Sequence, residues 1–167
     1  MDVARRRAGL LVWAVAGGVL LADRLTKLWA ERSLVDAPID VIRGVLTLRF
    51  TSNPGGAFSI LTSVPWFFVV AAATVSVIVG VVAFLRDRPR LQSVALGLIL
   101  GGALGNLLDR VTRGPGFRGE VVDFIDVHVW PVFNLADAAV VIGALLLVAS
   151  SFRPAPEATE TSDPSDA

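Results

Sequence analysis

Residues 64–85 read VPWFFVVAAATVSVIVGVVAFL, and after a short charged turn, RDRPR at 86–90, the chain continues at 91–108 with LQSVALGLILGGALGNLL. An α-helix needs about 20 apolar residues to cross the hydrocarbon core of a bilayer, and both stretches approach that length. Helices joined by so short a turn are antiparallel neighbours. The pair therefore predicts a helical membrane protein.

Two more apolar stretches, residues 8–29 and 132–152, flank this pair. The composition agrees, because 54% of the 167 residues are hydrophobic and the mean hydropathy is +0.67, which is high for a soluble domain. We predict an all-α integral membrane protein whose four transmembrane helices lie within residues 1–153. The segment at 154–167 is rich in Pro, Ser, Thr, Asp and Glu, and we expect it to be a disordered cytoplasmic tail.

Missing residue types exclude several chemistries. The chain has no cysteine, which excludes a disulfide, a thiolate metal site and a cysteine nucleophile. Its single histidine, His128, leaves only carboxylates as further zinc ligands, so no metal is expected. The formal net charge is zero, which gives no reason to expect a nucleic-acid partner. No cofactor is predicted.

Basic residues predict the orientation in the membrane. Arg5, Arg6 and Arg7 precede the first span, and the turn at 86–90 holds three more arginines. By the positive-inside rule both segments are cytoplasmic, so both termini are cytoplasmic and the loops at 30–63 and 111–131 face outward. The N-terminal stretch also fits a cleaved signal peptide, but three further spans follow it, which favours a membrane helix.

The first outward loop contains an alternating pattern. Three apolar residues, Leu46, Leu48 and Phe50, alternate with polar ones over 46–51. This is the period of a half-buried strand, and it predicts a small β-sheet on the outer membrane surface.

Polar residues in or beside the spans are costly in hydrocarbon and are therefore usually functional or paired. Five such clusters occur: Asp23–Lys27, Asn53–Ser59, Gly101–Arg110, Val121–Phe124 and Phe133–Ala139. In the last of them, Asn134 and Asp137 are three residues apart and share one helix face. All five clusters fall on the outward side of the predicted topology. We therefore expect one site near the outer interface.

Several of these residues have ordinary structural explanations. Gly101, Gly102 and Gly105 are typical of close helix packing. Asp23 with Lys27, and Asp109 with Arg110, are typical of structural ion pairs or of caps whose charged ends reach the membrane interface, rather than of catalysts. The remaining residues are expected to have no role in the site: His128 as an interfacial residue, Asp126 as a loop charge, and Trp29, Trp66 and Trp130 as interfacial anchors.

Asp123 and Asp137 remain, since both lie in apolar surroundings with no basic neighbour in sequence. Two carboxyl groups brought together at low dielectric cannot both ionise, so the pair should share one proton. That is the working state of an aspartic peptidase. The chemistry alone also allows a proton relay or a cation site in a transporter, and a non-catalytic assembly factor would not need the pair.

The polar clusters form an ordered set of motifs: Asp23-x-x-Thr26-Lys27, Asn53-x-Gly55-x-Ala57-Phe58-Ser59, Gly101-Gly102-Ala103-x-Gly105-Asn106-x-x-Asp109-Arg110, Gly119-x-Val121-Val122-Asp123-Phe124 and Phe133-Asn134-x-Ala136-Asp137. In this order, on a four-span chain, they resemble the bacterial lipoprotein signal peptidases, also called signal peptidase II. The resemblance implies a membrane aspartic endopeptidase that cuts diacylglyceryl-modified prolipoproteins before the lipidated cysteine.

The resemblance also implies roles for individual residues. Asp123 and Asp137 match the catalytic dyad, and Asp23 and Lys27 match a structural motif. The residues expected to line or brace the substrate pocket are Asn53, Asn106, Asp109, Arg110 and Asn134. The outer-loop sheet is expected to cradle the substrate.

The implied location is the bacterial cytoplasmic membrane, with the active site near its outer face. The implied partners are prolipoprotein substrates and membrane lipids, and we expect a monomer. One departure from the family is the longer loop at 111–118, which is rich in Gly and Pro. Extra length in a surface loop costs little stability, so the loop is expected to alter gating without disturbing the dyad.

Overall fold

The computed structural model describes residues 3–55, 65–85 and 87–152. Its elements, numbered by type along the chain, are α1 (Val3–Ser33), β1 (Ile39–Ile42), β2 (Leu46–Asn53), α2 (Pro65–Leu85), α3 (Arg90–Thr112), β3 (Val121–Asp126) and α4 (Leu135–Ser151). A single turn of 3₁₀-helix at Pro115–Phe117 follows α3. Ala57, Phe58 and Ser59 of the second motif and the predicted tail at 154–167 lie outside the described residues.

Four apolar helices in the described part of the chain confirm the predicted fold class. Helices α1, α2 and α3 are long and apolar enough to cross a membrane. Helix α4 is apolar but has 17 residues, which corresponds to roughly 26 Å at 1.5 Å per residue. It begins after the predicted start at residue 132, because the chain is still extended at Phe133, which forms a bridge with Ile125 of β3.

Helix α3 lies at the centre and packs against the other three helices. Glycines on its two faces allow these close approaches, as predicted. A Cβ on Gly101 would lie 2.7 Å from the carbonyl oxygen of Ala16 in α1, and one on Gly102 would collide with the carbonyl of Ala136 in α4. Small residues therefore set the distance from α3 to both neighbours.

Helix α2 exposes large apolar side chains such as Val70, Val77 and Phe84. Because lipid tails are as apolar as a protein core, such a face is compatible with a bilayer. One buried cluster, around Val12, Val79 and Leu100, joins α1, α2 and α3. A second cluster packs Ala30 in the last turns of α1 and Leu34 just after it against Val122 and Phe124 of β3.

A three-stranded antiparallel sheet in the order β1-β2-β3 lies at that end of α1. Strand β2 confirms the strand expected from the alternation at 46–51. Strand β3, which carries Asp123, was not predicted. Five of its six residues are buried, on both of its faces, so its sequence shows no alternation that indicates a strand.

Candidate active site

Asp123 lies on β3 opposite Thr51 of β2 and is 2% exposed. Two amide groups hold its carboxylate. Asn53 Nδ2 donates to Oδ2 at 2.8 Å, and Asn134 Nδ2 donates to Oδ1 at 2.7 Å. Asn53 is itself held, because its Oδ1 accepts from the backbone N–H of Gly55 at 3.0 Å in an Asx turn. The carboxylate therefore has a defined orientation and is almost fully buried.

Asp137 lies in the first turn of α4, where it forms a capping box with Asn134. The backbone N–H of Asp137 donates to Asn134 Oδ1 at 3.0 Å, and the backbone N–H of Asn134 donates to Asp137 Oδ2 at 3.2 Å. The other oxygen, Oδ1, accepts from Asn106 Nδ2 of α3 at 2.7 Å. Asn134 and Asp137 were expected to share one helix face. In the structure they form the N-terminal cap of α4.

The amides of Asn106 and Asn134 connect the two carboxylates. Asn134 Nδ2 donates both to Asp123 and, at 3.1 Å, to Asn106 Oδ1. Asp123, Asp137, Asn53, Asn106 and Asn134 were all predicted site residues, and together they form one hydrogen-bonded network, which we call the amide cluster. Its members come from β2, β3, α3 and the N-terminus of α4.

Burial of Asp123 raises its pKa from an ordinary 3.8 to about 7, and the nearby negative charge of Asp137 contributes in the same direction. The hydrogen bonds from Asn53 and Asn134 and the charge of Lys27 oppose that rise in pKa without cancelling it. Near neutral pH Asp123 is therefore still protonated in a large share of the molecules.

Both aspartates line a cavity of about 440 Å³. Asn53, Asn106 and Arg110 complete the polar part of its wall. The rest is apolar and comes mainly from α2, α3, α4 and the segment before α4: Phe68, Ala71, Ala72, Val75, Ala103, Trp130, Pro131, Val132, Phe133, Val140 and Val141. Sequence reasoning missed these wall residues and assigned Trp130 to interfacial anchoring alone. The reason is that apolar side chains facing a cavity have the same sequence pattern as those facing lipid.

Arg110 provides the positive charge at the cavity. Its Nη2 donates to the carbonyl oxygen of Gly55 at 2.6 Å, and its guanidinium carbon lies 5.1 Å from the ring centroid of Phe68. These contacts hold the loop after β2 and one wall of α2 close to the aspartates. Arg110 therefore lines the cavity, as predicted.

The predicted pairing of Asp109 with Arg110 is wrong. Successive helix residues point about 100° apart, and Asp109 faces away from the cavity. It forms ion pairs with Lys27 at 2.8 Å, Arg113 at 2.6 Å and Arg24 at 3.3 Å. The expected Asp23–Lys27 pair is present at 2.8 Å. We call these five residues the cation cluster: Asp23, Arg24, Lys27, Asp109 and Arg113.

Asp126 is not a loop charge as expected, because it lies on β3. Its Oδ2 accepts from Arg49 Nε at 2.6 Å, and this hydrogen bond holds the pKa of Asp126 below its ordinary value. His128 Nε2 lies 3.0 Å from Thr47 Oγ1 at the same part of the sheet. Neither residue lines the cavity, so the structure separates Asp126 from Asp123 by side-chain environment.

Comparison with known proteins places the fold and the motifs in a family. The family model described as "Signal peptidase (SPase) II" matches residues 15–153. A lipoprotein signal peptidase of Rhodococcus jostii (strain RHA1) is 46% identical over 142 residues, covering 83% of this chain and 71% of that protein. Another from Caldicellulosiruptor bescii is 39% identical over 138 residues, covering 83% and 88%.

Solved structures agree with the sequence relatives. One, described as "Bacterial membrane enzyme structure by the in meso method at 2.3 A resolution", is 31% identical with a TM-score of 0.72 and covers 84% of this chain and 86% of its own. A second, at 1.9 Å, is 30% identical with a TM-score of 0.71, covering 86% and 94%. This helical membrane protein, with its ordered polar motifs at the helix ends and sheet, belongs to the lipoprotein signal peptidase (signal peptidase II) family.

Proposed function

We propose that this peptidase is an aspartic endopeptidase that removes signal peptides from diacylglyceryl-modified prolipoproteins, cutting before the lipidated cysteine. The observation that carries the proposal is the arrangement of Asp123 and Asp137, two carboxylates from different elements that are joined by amides in one cavity. Neutral amides orient both groups without supplying a charge to either. That arrangement leaves one proton to be exchanged within the pair.

The pair then performs general acid–base chemistry on water. The ionised carboxylate takes a proton from a water molecule, whose oxygen attacks the scissile carbonyl carbon. The protonated carboxyl group donates a hydrogen bond to the carbonyl oxygen and so stabilises the charge that develops there. When the C–N bond breaks, the leaving amine takes up a proton from the pair, which returns to its one-proton state. The short hydrogen bonds from Asn53, Asn106 and Asn134 keep both groups in place throughout.

The apolar part of the cavity supports a lipid-bearing substrate. Helices α2 and α4 both pack on α3 and make little contact with each other within the described residues. An acylated cysteine could therefore enter sideways from the bilayer between them, along Ala72 and Val141. Each buried CH₂ of an acyl chain adds roughly 0.8 kcal/mol of binding free energy. A diacylglyceryl group thus contributes affinity that an unmodified cysteine lacks.

We further propose that both termini are cytoplasmic and that the active site lies near the outer face of a bacterial cytoplasmic membrane. The arginines before α1 and between α2 and α3 support this orientation. The position of the dyad argues against transport, since a transporter site lies near the bilayer centre, whereas Asp137 is in the first turn of α4 and Asp123 is on a strand. One copy of the chain holds both aspartates, so we expect a monomer to be active.

The test replaces each aspartate with asparagine. Asp123→Asn and Asp137→Asn, made separately, should each lower cleavage of a lipidated precursor by at least roughly a thousandfold, because neither variant can hold and exchange the shared proton. The precursor is incubated with purified enzyme in detergent and cleavage is followed by mass spectrometry. The same precursor without its diacylglyceryl group should be cleaved poorly by the wild-type enzyme.

Asp126→Asn is the matched control, because Asp126 is also a buried carboxylate on β3 but does not line the cavity. It should retain cleavage. Helical content and elution volume of all three variants should match those of the wild type. Full activity in either Asp123→Asn or Asp137→Asn would exclude the proposed mechanism. If the protein were a non-catalytic assembly factor, none of the three substitutions would change its function.

A further inference from the structure

Lys27 of α1 is fully buried beside the active site. Three acceptors lie within 3.0 Å of its Nζ: Asp23 Oδ2 at 2.8 Å, Asp109 Oδ2 at 2.8 Å and Asn106 Oδ1 at 3.0 Å. An ammonium can donate but not accept, and it donates a hydrogen bond to Asn106, whereas its contact with Asp109 is an ion pair without a hydrogen bond. Two of the acceptors belong to the cation cluster. The third, Asn106, belongs to the amide cluster, and Lys27 is the residue that joins the two.

The contact with Asn106 determines which way its amide points. Lys27 can only donate, so the Oδ1 of Asn106 must face it. The NH₂ group of Asn106 then faces Asp137 Oδ1, to which it donates at 2.7 Å. A flipped amide would place its NH₂ against the ammonium and its oxygen against the carboxylate. Both contacts would be repulsive, so the charge on Lys27 selects one of two amide orientations.

The same amide oxygen extends the effect to the other aspartate. Asn106 Oδ1 also accepts from Asn134 Nδ2 at 3.1 Å, and Asn134 Nδ2 donates to Asp123 Oδ1 at 2.7 Å. If Asn106 turned over, Asn134 would lose this acceptor and would no longer be held for Asp123. One amide orientation therefore supports the hydrogen bonds received by both carboxylates.

We propose that Lys27 is a positioning residue of the aspartate dyad, acting through the orientation of the Asn106 amide. The proposal rests on the proposed peptidase function and extends it. Lys27 contacts neither aspartate of the dyad, and its two carboxylate partners have other hydrogen bonds or ion pairs. Asp23 Oδ1 accepts from the backbone N–H of Ala136 at 3.0 Å, and Asp109 pairs with Arg113 at 2.6 Å.

The test variant is Lys27→Met combined with Asp23→Asn. Methionine approximates the length of the lysine stem, and the second substitution avoids leaving an unpaired buried carboxylate, while the introduced amide oxygen can still accept from the N–H of Ala136. We expect kcat on the lipidated precursor to fall roughly tenfold to a hundredfold, because a charge-supported hydrogen bond to the dyad is lost. KM should change by less than about twofold, since Lys27 does not line the cavity.

The pH profile separates positioning from folding. Within residues 3–55, 65–85 and 87–152, the charged groups that act on the dyad are Lys27 from α1 and Arg110 from α3, besides Asp123 and Asp137 themselves. The charge of Lys27 lowers the pKa of Asp123. Its removal should therefore move the alkaline limb of the kcat profile, where Asp123 loses the proton that the dyad needs, to higher pH.

Two controls keep Lys27 in place. Asp23→Asn alone removes the same carboxylate, and Arg113→Gln removes a different partner of Asp109. Both should lower thermal stability, and both should leave the pH profile of the folded enzyme where it is. A Lys27 variant that also lowers only stability, with the wild-type kcat and pH profile, would overturn the proposal.

A double-mutant cycle tests the route through Asn106. The variant that combines Asn106→Leu with the Lys27 substitution should have nearly the same kcat as Asn106→Leu alone, because both changes remove the same hydrogen bond. Independent losses that multiply would overturn the route. Asp137→Asn in the same assay tells failure of the peptidase mechanism from failure of this inference. An active Asp137→Asn enzyme would refute the peptidase mechanism. An inactive Asp137→Asn enzyme together with fully active Lys27 variants would refute only the role of Lys27.

Discussion

The amide cluster and the cation cluster lie side by side at one end of the helices, and each is built around two aspartates, of which Asp137 alone is only partly buried. In the cation cluster Asp23 and Asp109 are neutralised by Lys27, Arg24 and Arg113. In the amide cluster Asp123 and Asp137 receive their hydrogen bonds from neutral amides among the described residues. The difference shows how one residue type serves two purposes: an aspartate that pairs with cations ties helices together, whereas an aspartate held by neutral amides is oriented towards the cavity.

The largest effect that would test this comparison is the loss of stability expected when the cation cluster is disrupted. Asp109→Leu leaves Lys27 and Arg113, both mostly buried, with fewer anionic partners. Because an uncompensated buried charge is strongly destabilising, we expect the free energy of unfolding to fall by about 3–5 kcal/mol. Thermal unfolding in detergent measures the change. A decrease of less than about 1 kcal/mol in the free energy of unfolding would mean that the cation cluster contributes little to stability.

An intermediate effect concerns pH. The pKa of Asp123 is raised by burial to about 7 in the folded protein, so the folded state holds a proton that the unfolded state releases above its ordinary pKa of 3.8. The contribution of Asp123 to stability is therefore greatest at low pH and is lost as the pH rises towards 7. We expect the slope to be of the order of 1 kcal/mol per pH unit.

Asp123→Asn should remove that slope, as measured by thermal midpoints in detergent across this pH range. Asp126→Asn is the matched control. Its pKa is lowered, so its contribution is present at neutral pH and is lost only as the pH falls through its folded pKa, below 3.8. If both variants kept the wild-type pH dependence, the proposed difference between the two carboxylates of β3 would be wrong.

The smallest effect concerns the exposed edge of the cation cluster. The side chain of Arg24 is 37% exposed and lies 3.3 Å from Asp109, so water screens this ion pair. Arg24→Gln should lower the free energy of unfolding by less than about 1 kcal/mol. A loss as large as that of Asp109→Leu would show that the exposed arginine, rather than Lys27 and Arg113, compensates the buried carboxylate.

Sequence reasoning succeeded where one physical requirement dominated. A helix that crosses hydrocarbon must be apolar over most of its length, so α1, α2 and α3 were predicted close to their observed bounds. The strand at β2 was predicted because one side of it is polar. Strand β3 was missed because burial on both faces removes the alternation, and α4 was predicted to start early because Val132 and Phe133 are as apolar as the helix they precede.

Residue composition and spacing were enough to establish that this chain is a helical membrane protein with its polar residues gathered in a few clusters, and that two aspartates lack a basic neighbour. Composition and spacing were enough because each segment that crosses the membrane must itself be apolar, whatever the other segments contain. The folded structure was needed to show that Asp123 rather than Asp126 faces the cavity, and that Asp109 faces Lys27 while Arg110 faces the cavity. It was also needed to show that the hydrogen bond from Lys27 to Asn106 joins the two clusters. These outcomes depend on the partners that other elements bring to each side chain, and neighbours along the chain do not reveal them.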